Sequence, residues 1–406
     1  MAQHTLTEEQ RNRVLRRGVA RIIPEDEFVE RLDEGRPLRL KMGFDPSAPD
    51  IHLGHAVGLR KLRQLQDLGH TVVIIVGDWT AQIGDPSGRS ATRPMLTHEQ
   101  VVQNAETYLA QFFKIVDRDR AEVRWQSDWF GPFSLADVIR LTSKFTVAQF
   151  LQRDDFAQRF RANQPIAITE LLYPLLQAYD SVAIQSDVEF GGTDQMFNLL
   201  VGRDLQEMEG QRPQQCFLMP MLPGTDGVQK MSKSLGNYIG IDEPPSEIFG
   251  KTMSLSDNLL PLFYEYLTDV PDSELDEISQ AVESGSTNPM NIKKRLARDL
   301  VTQFHGADAA QSAQEFFERT VQSGETPDDI PSLVVSASDM SARRLSDLIV
   351  EAGFAGSSGE ARRLIDQGAV RLDDSRIAQN VPASTLSSGV LRVGRRRFAR
   401  LEIHAS

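Results

Sequence analysis

Cysteine is almost absent from this sequence of 406 residues, which contains only Cys216. One cysteine cannot form an intramolecular disulfide or supply the thiolates of a metal cluster, and chains without paired cysteines are typical of reducing compartments. Long apolar runs are absent as well. The longest aliphatic run, Val72 to Val76, is far shorter than the roughly 20 residues that cross a bilayer, and the first 17 residues lack the apolar core of a signal peptide. We therefore expect a cytoplasmic protein.

Glycine and proline are too few, at 28 and 20 residues, for a collagenous or low-complexity chain. The composition is that of a globular protein, with 40% hydrophobic and 25% charged residues. At roughly 100 to 200 residues per domain, the length predicts two to four domains.

Lysine is missing from residues 341–406, which hold 11 arginines and seven acidic residues. This segment carries a net charge of +4, whereas residues 1–340 carry −17 and the whole chain −13. Phosphate contacts dominate affinity for nucleic acids, so the uneven charge indicates that the C-terminal module alone binds a polyanion. Chance variation along the chain is the alternative. The stretch 323–342, rich in Ser, Pro and Asp, predicts a linker to this module.

Apolar spacing predicts one β-α-β unit in the first hundred residues. Leu38–Phe44 alternates as a strand does, the next segment repeats apolar residues at helical spacing up to Gly69, and Val72–Gly77 is a continuous apolar run typical of a buried parallel strand. The ligand crevice of such a unit lies at the strand ends, here near Gly43–Asp45 and Gly77–Gly88. We predict an α/β fold with a doubly wound parallel sheet.

Further along the chain, residues 97–180 read as mostly helical and residues 184–224 return to a strand-loop-helix pattern. Asn288-Pro289 then opens a helix with one apolar stripe, which ends near Gly306.

Two short motifs carry candidate chemistry. The loop Gly43–His55 places His52 and His55 at the start of a helix, where Gly54 lets a ligand approach the backbone and the helix N-terminus favours anions. Taken alone, the two histidines fit a half-formed metal site or surface caps equally well. The second motif, Lys230–Ser234, is a glycine-flanked loop with two ammonium groups and two hydroxyls, which alone fits a solvated loop.

Together the motifs His52-Leu-Gly-His55 and Lys230-Met-Ser-Lys-Ser234 resemble the HIGH and KMSKS signatures of class I aminoacyl-tRNA synthetases. The intervening sequence is similar, more narrowly, to bacterial tyrosyl-tRNA synthetases, from about Leu38 to the C-terminus. The segments that carry this narrower likeness are Gly43-Phe-Asp-Pro46, Ile83-Gly-Asp-Pro-Ser-Gly88, Tyr173-Pro-Leu-Leu-Gln-Ala-Tyr-Asp180 and Gly191-Gly-Thr-Asp-Gln195.

The resemblance implies that an amino-acid carboxylate attacks the α-phosphate of ATP, pyrophosphate leaves, and a tRNA ribose hydroxyl then takes the aminoacyl group. This displacement needs positioning and charge neutralisation more than a protein nucleophile. By resemblance His52, His55, Lys230 and Lys233 are catalytic, and Mg²⁺ arrives with ATP because the sequence shows no dedicated metal cluster. The implied ATP-binding residues are Gly43, Asp45, Ser47, His52, Gly54, His55, Gly191, Gly192, Asp194, Lys230, Met231, Ser232, Lys233 and Ser234.

The same resemblance implies a tyrosine site. Tyr173, Gln177 and Asp180 are spaced to share one helical face. By resemblance Tyr173, Gln177 and Asp85 receive the α-ammonium, Asp180 accepts the phenolic hydroxyl and Gln195 faces the carboxylate. Many family members place a second hydroxyl partner, a tyrosine, two residues before the Gly-Phe-Asp-Pro glycine. Here that position is Lys41, to which we assign no role.

The C-terminal segment resembles the RNA-binding module first described in a ribosomal small-subunit protein, through Ser358–Ile365 and Gly368–Asp373. The implied partner is the tRNA for tyrosine, and a solvated arginine-rich face is the alternative. The predicted tRNA-binding residues are Arg362, Arg363, Arg371, Arg395, Arg396 and Arg397, with Arg392 and Arg400 in the same basic cluster.

We predict the domains to be residues 1–235, catalytic with a helical dimer insertion at about 115–165; 236–322, helical and on the anticodon side; 323–342, linker; and 343–406, RNA-binding. The resemblance also implies a homodimer. The alternatives are a tryptophanyl-tRNA synthetase, a catalytically silent RNA-binding paralogue, and a small-molecule nucleotidylyltransferase with a similar histidine loop.

Overall fold

The computed structural model describes residues 7–46, 50–87, 96–322, 330–373, 375–394 and 397–404. The chain divides into two compact units, one formed by Met1–Glu243 with Ser254–Leu296 and the other by Pro244–Met253 with Ala297–Ser406. No helix in the described ranges is long and apolar enough to cross a membrane.

A six-stranded sheet forms the centre of the first unit. Its strands are β1 (Arg21–Ile23), β2 (Arg39–Phe44), β3 (Thr71–Val76), β4 (Ala121–Trp125), β5 (Val188–Gly192) and β6 (Gln215–Met219). The spatial order is β1-β6-β5-β2-β3-β4, and every pair is parallel except β1 with β6. The chain runs outward from β2 through β3 to β4 and later returns to β5 on the other side of β2. This reversal creates the crevice at which ligands bind in such sheets.

Several helices of the first unit precede Glu243 in the chain. They are α1 (Glu8–Leu15), α2 (Glu25–Asp33), α3 (Leu53–Asp67), α4 (Thr80–Ile83), α5 (His98–Phe112), α6 (Ser127–Phe130), α7 (Leu135–Thr142), α8 (Val147–Phe150), α9 (Asp154–Arg161), α10 (Ile168–Ile184) and α11 (Met196–Met208). The predicted β-α-β unit is confirmed as β2, α3 and β3: Leu62 and Leu65 of α3 are fully buried, and Val72 to Ile75 have no exposed surface.

The strand β4 corrects the expectation of a mostly helical stretch over 97–180. Its five residues are all half-buried rather than alternately buried and exposed, because β4 is the edge strand and pairs only with β3 among the described strands. A short strand with this burial carries no clear period in its sequence.

The remaining helices belong to the later part of the chain. They are α12 (Pro245–Met253), α13 (Leu260–Leu267), α14 (Asp272–Ser284), α15 (Pro289–His305), α16 (Ala307–Phe317), α17 (Ala337–Met340), α18 (Leu345–Glu351) and α19 (Ser358–Asp366). The predicted helix opening at Pro289 is confirmed as α15, whose apolar stripe from Ile292 to Phe304 is buried.

The second unit holds a five-stranded sheet in the order β7-β11-β10-β8-β9. Its strands are β7 (Ser332–Ser336), β8 (Val370–Leu372), β9 (Ser375–Ile377), β10 (Gly389–Val393) and β11 (Arg397–His404). Leu348, Ile365 and Leu391 lie in one buried apolar core with residues of these strands. These strands and the helices α18 and α19 therefore form a small α+β module in the C-terminal part of the chain.

Residues 332–340, which the sequence analysis assigns to a linker, instead form β7 and α17. Leu333 and Val335 are buried on one face of β7, which pairs in parallel with β11. Burial of this alternating apolar pair explains why the segment is a strand although Ser, Pro and Asp surround it.

Candidate active site

A cavity of about 830 Å³ opens at the carboxyl ends of β2, β3, β5 and β6 and at the N-terminus of α3. It brings together predicted site residues from five separate segments of the sequence. The predicted residues that line it are Gly43, Asp45, His52, Gly54, His55, Asp85, Tyr173, Gln177, Asp180, Gly191, Gly192, Asp194, Gln195, Lys230, Met231, Ser232 and Ser234. Lys233 makes its contact with Asp50 beside the histidine loop, and Ser47 lies outside the described residues.

The two histidines stack on each other at the start of α3, with ring centroids 3.9 Å apart. The backbone N–H of His52 donates to Nδ1 of His55 at 3.3 Å. Burial, together with the positive charge of the neighbouring Lys233, lowers the pKa of His52 to about 2 and that of His55 to about 4. Both rings are therefore neutral at pH 7. A Cβ atom at position 54 would lie 2.9 Å from the His52 ring and would clash with it. Glycine at this position therefore allows the ring to stay where it is.

The lysine loop faces the histidines with both ammonium groups paired to carboxylates. Lys230 Nζ lies 3.0 Å from Oδ2 of Asp194, and Lys233 Nζ lies 2.9 Å from Oδ2 of Asp50. These pairs are partly exposed, so each contributes only about 0 to 1 kcal/mol. A more highly charged anion such as a triphosphate can compete with them for the lysines.

Asp180 lies at the closed end of the cavity and is only 2% exposed. Its Oδ2 accepts a hydrogen bond from Nε2 of Gln126 at 2.9 Å, and its Oδ1 accepts one from Nε1 of Trp129 at 3.1 Å. Burial raises the pKa of Asp180 to about 7, although the positive charge of Lys41 and the two donors act in the opposite direction. Both oxygens of this cavity-lining carboxylate therefore have a protein donor, and one of these donors, Gln126, lines the cavity as well.

Gln126 has a fixed orientation because its Oε1 accepts from the backbone N–H of Thr80 at 3.0 Å. Thr80 Oγ1 in turn donates to Oδ1 of Asp45 at 2.7 Å, and the hydroxyl of Tyr173 donates to Oδ2 of the same carboxylate at 2.8 Å. The hydrogen bonds therefore run continuously from Asp180 to Tyr173. Sequence reasoning missed Gln126 and Thr80, although Gln126 directly follows β4 and so stands at the strand end where ligand-facing side chains collect.

A second hydrogen-bonded group surrounds Gln195. Its Nε2 donates to Oδ2 of Asp85 at 2.7 Å, and its Oε1 accepts from Nδ2 of Asn198 at 2.9 Å. Arg153, which is buried, donates to Oδ1 of Asn198 at 3.0 Å and to the hydroxyl of Ser87. The sequence analysis did not single out Arg153, because nothing in the sequence near 153 relates it to residues 85 or 198.

Lys41, at the position where the resemblance places a tyrosine, does not line the cavity. It is fully buried and forms an ion pair with Glu189, with Nζ and Oε1 2.9 Å apart. Glu189 was missed by the sequence analysis. A charged residue inside the otherwise apolar strand β5 was the available signal.

In the second unit, Arg362 and Arg363 on α19 and Arg371 on β8 are exposed. Arg397 on β11 is half-buried, and its guanidinium donates to the carbonyl oxygen of Phe354. Arg395 and Arg396 lie outside the described residues.

Among the residues that the structure describes, no group of three or more His, Cys, Asp or Glu side chains is arranged to hold a metal ion.

Comparison with known proteins places these features in a family. The family model for class I tRNA synthetases (W and Y) matches residues 33–322, and the S4 domain model matches residues 343–382. A tyrosine–tRNA ligase of Dehalococcoides mccartyi (strain CBDB1) is 59% identical over 395 residues, which cover 97% of this chain and 99% of that protein. One of Thermotoga maritima is 51% identical over 398 residues, with 98% of each chain covered.

Among solved structures, the tyrosyl-tRNA synthetase of Archaeoglobus fulgidus complexed with L-tyrosine aligns with a TM-score of 0.62 at 23% identity, covering 76% of this chain and 99% of that one. This likeness supports the fold alone. The full-length sequence likeness confirms the function predicted from the two signatures and does not favour the tryptophanyl alternative. The chain belongs to the class I tRNA synthetases and, within them, to the tyrosine–tRNA ligases, which use ATP, tyrosine and tRNA as substrates.

Proposed function

We propose that the cavity makes tyrosyl adenylate and that Asp180 reads the phenolic hydroxyl of tyrosine. The observation that carries this assignment is the pair of hydrogen bonds from Gln126 and Trp129, which fix both carboxylate oxygens at the closed end. A phenolic O–H that donates to such a carboxylate forms a charge-assisted hydrogen bond. A phenyl ring in its place offers no O–H to this buried carboxylate and forfeits that charge-assisted hydrogen bond, so phenylalanine is rejected.

The other end of the amino acid faces Tyr173, Gln177 and Asp85. The Tyr173 hydroxyl already donates to Asp45, so its oxygen has a lone pair to offer to an ammonium. Asp85 supplies the negative charge, and Gln195 meets the carboxylate. Each of these side chains is held by a second protein group before substrate arrives, which lowers the entropic cost of correct orientation.

ATP lies between the two signature motifs. We assign the ribose to Asp194 and the close backbone approach to Gly191 and Gly192. A Cβ atom at Gly192 would lie 2.7 Å from Oδ1 of Asp194 and would disturb that carboxylate. Neutral His52 and His55 donate to the phosphates without carrying their own charge into the buried site.

Lys230 and Lys233 stabilise the negative charge that grows on the leaving pyrophosphate, so their main effect is on the rate. Mg²⁺ enters with the triphosphate, whose oxygens are the ligands it prefers. The lysines leave their carboxylate partners for these phosphates, and Asp50 and Asp194 are then free to face the hydrated cation and the ribose.

The S4 domain holds the tRNA through phosphate contacts. Arg362, Arg363 and Arg371 are exposed basic side chains of this domain, and we extend the same role to Arg395, Arg396 and Arg397 from the sequence. Such contacts position the RNA and contribute affinity that falls with salt.

We propose a homodimer that forms through the helical insertion of the first unit. Five large apolar side chains there are exposed: Leu135 at 75%, Val138 at 36%, Ile139 at 60%, Val147 at 59% and Phe160 at 63%. Soluble monomers rarely cluster apolar surface in this way, and a second copy of the chain would cover it. We place the dimer in the cytoplasm, where a chain with one buried cysteine needs no oxidising environment.

The test of the tyrosine assignment is Asp180→Ala, assayed by ATP–pyrophosphate exchange with tyrosine and with phenylalanine. Activity with tyrosine should fall, and the ratio of the two kcat/KM values should narrow sharply. Asp128→Ala is the matched control, because Asp128 is an exposed carboxylate on the same helix as Trp129. An Asp180→Ala enzyme that folds and discriminates as well as its parent would remove Asp180 from the assignment.

A further inference from the structure

A buried ion pair lies directly behind the tyrosine-facing helix and outside the reaction described so far. Lys41 of β2 and Glu189 of β5 are register partners on neighbouring strands. Their side chains are 0% and 1% exposed. Neither residue lines the cavity. Burying two charges costs several kcal/mol per ion, so the strands carry this pair at a net cost unless it does something that an apolar pair cannot.

The hydrogen bonds of the pair join it to α10, and Oε2 of Glu189 also accepts from the side-chain amide of Gln214. The ammonium of Lys41 meets three acceptors: the carbonyl oxygen of Gln177 at 2.7 Å, the hydroxyl of Ser181 at 2.7 Å and Oε1 of Glu189 at 2.9 Å. The Ser181 hydroxyl in turn donates a hydrogen bond to Oε2 of Glu189 at 3.2 Å. All three protons of the ammonium are used, so the ion pair and the helix are locked together.

The side chain of Gln177 is part of this set and also lines the cavity. Its Nε2 donates to Oε1 of Glu189 at 3.0 Å. An ionised carboxylate has only acceptors, so the NH₂ end of the amide is the only end that can face Glu189. The carbonyl end, Oε1, is then turned away from Glu189. The amide of Gln177 has one permitted orientation because the carboxylate that it faces, which is ion-paired with Lys41, only accepts hydrogen bonds.

We infer that Glu189, with Lys41 behind it, is a positioning residue that presents the carbonyl oxygen of Gln177 to the α-ammonium of tyrosine. With the amide reversed, two N–H groups would face the ammonium and repel it. This inference rests on the proposed role of Gln177 in the tyrosine site. It also explains what Lys41 does at a position from which it cannot reach the substrate hydroxyl.

The test measures the binding of two tyrosine analogues, one with and one without the ammonium group. Binding is measured by calorimetry on the full chain without ATP. Tyramine keeps the phenol and the ammonium, whereas 3-(4-hydroxyphenyl)propionate keeps the phenol and lacks the ammonium. In Glu189→Gln the amide at 189 no longer dictates which end of Gln177 faces it. Tyramine should bind about tenfold more weakly or worse, the size expected for a lost hydrogen bond to a charged group, while the propionate should change by less than about threefold.

Glu189→Gln leaves Lys41 buried without its counter-ion, so the double variant Lys41→Met with Glu189→Gln provides a second measurement with no unpaired charge. It should show the same selective loss. Glu122→Gln is the matched control: Glu122 pairs with Arg39 in the same sheet, on a half-exposed face away from the cavity. This variant should bind both ligands as the parent does.

Gln177→Ala separates a failure of this inference from a failure of the proposed site. If Gln177→Ala leaves tyramine binding unchanged, the ammonium role of Gln177 is wrong. If it weakens tyramine but neither Glu189 variant does, the positioning role is overturned and the proposed site stands. Equal weakening of both ligands in the Glu189 variants also overturns it, because that result describes a general structural role.

Discussion

If Asp180 accepts the phenolic hydroxyl, as proposed, we predict that tyrosine binding depends on pH within the neutral range. Burial raises the pKa of this carboxyl to about 7. Above that value the group is an anion that accepts the phenolic proton strongly, and below it the group is neutral and a weaker acceptor. The ionised fraction falls from about 0.9 at pH 8 to about 0.1 at pH 6. If the anion alone binds tyrosine tightly, the Kd rises about tenfold over this interval, or about 1.4 kcal/mol.

The assay is calorimetric titration of tyrosine into the protein between pH 6 and pH 8, without ATP so that phosphate ionisation does not contribute. The signature histidines do not confound it, because burial lowers the pKa of His52 to about 2 and of His55 to about 4. Trp129→Phe removes a donor that lowers the pKa of Asp180, so it should move the midpoint to higher pH. Trp125→Phe, a tryptophan at the end of β4, should leave it in place. A Kd that is flat from pH 6 to pH 8 in the parent protein refutes the reasoning.

Three further outcomes are expected. Lys233→Ala should lower the single-turnover rate of adenylate formation by about 10² or more with a smaller change in the KM for tyrosine, and an unchanged rate would remove Lys233 from the mechanism. Arg362→Glu combined with Arg371→Glu should leave adenylate formation intact, weaken aminoacylation and flatten its salt dependence. Full aminoacylation efficiency would show that these arginines form a solvated face that does not bind tRNA. Ile139→Asp should shift the protein towards monomer in sedimentation velocity, and an unaltered dimer at the same concentration would place the interface elsewhere.

Features with a local cause could be predicted from the sequence. The β-α-β unit followed from continuous and periodic apolar residues such as Val72–Val76, because burial on both faces of a parallel strand leaves that pattern. The signature loops were found because the two motifs together resemble those of class I aminoacyl-tRNA synthetases, although neither is decisive alone. The helical face of Tyr173, Gln177 and Asp180 followed from spacing alone, and all three line the cavity.

Features whose cause lies in distant segments could not be predicted. Asp180 is held by Gln126 and Trp129, and Gln195 by a group that includes Arg153, yet only the folded sheet brings these residues together. Lys41 replaces the tyrosine of many family members, and no role for it could be predicted because its ion-pair partner Glu189 lies on a strand far along the chain.

The linker prediction was wrong at 332–340 for a related reason. The composition of the surrounding stretch is that of a loop, but alternating Leu333 and Val335 find a buried face only once β11, the last strand, is in place. Amino-acid composition describes the average of a segment, whereas the pairing of β7 with β11 depends on the two buried residues Leu333 and Val335.

The choice of tyrosine is the central claim, and ATP–pyrophosphate exchange with each of the twenty amino acids tests it most directly. We predict rapid exchange with tyrosine alone and, with phenylalanine, exchange lower by orders of magnitude, since phenylalanine offers no O–H to the buried carboxylate of Asp180. Preferential exchange with tryptophan, or equal exchange with tyrosine and phenylalanine, would contradict the account.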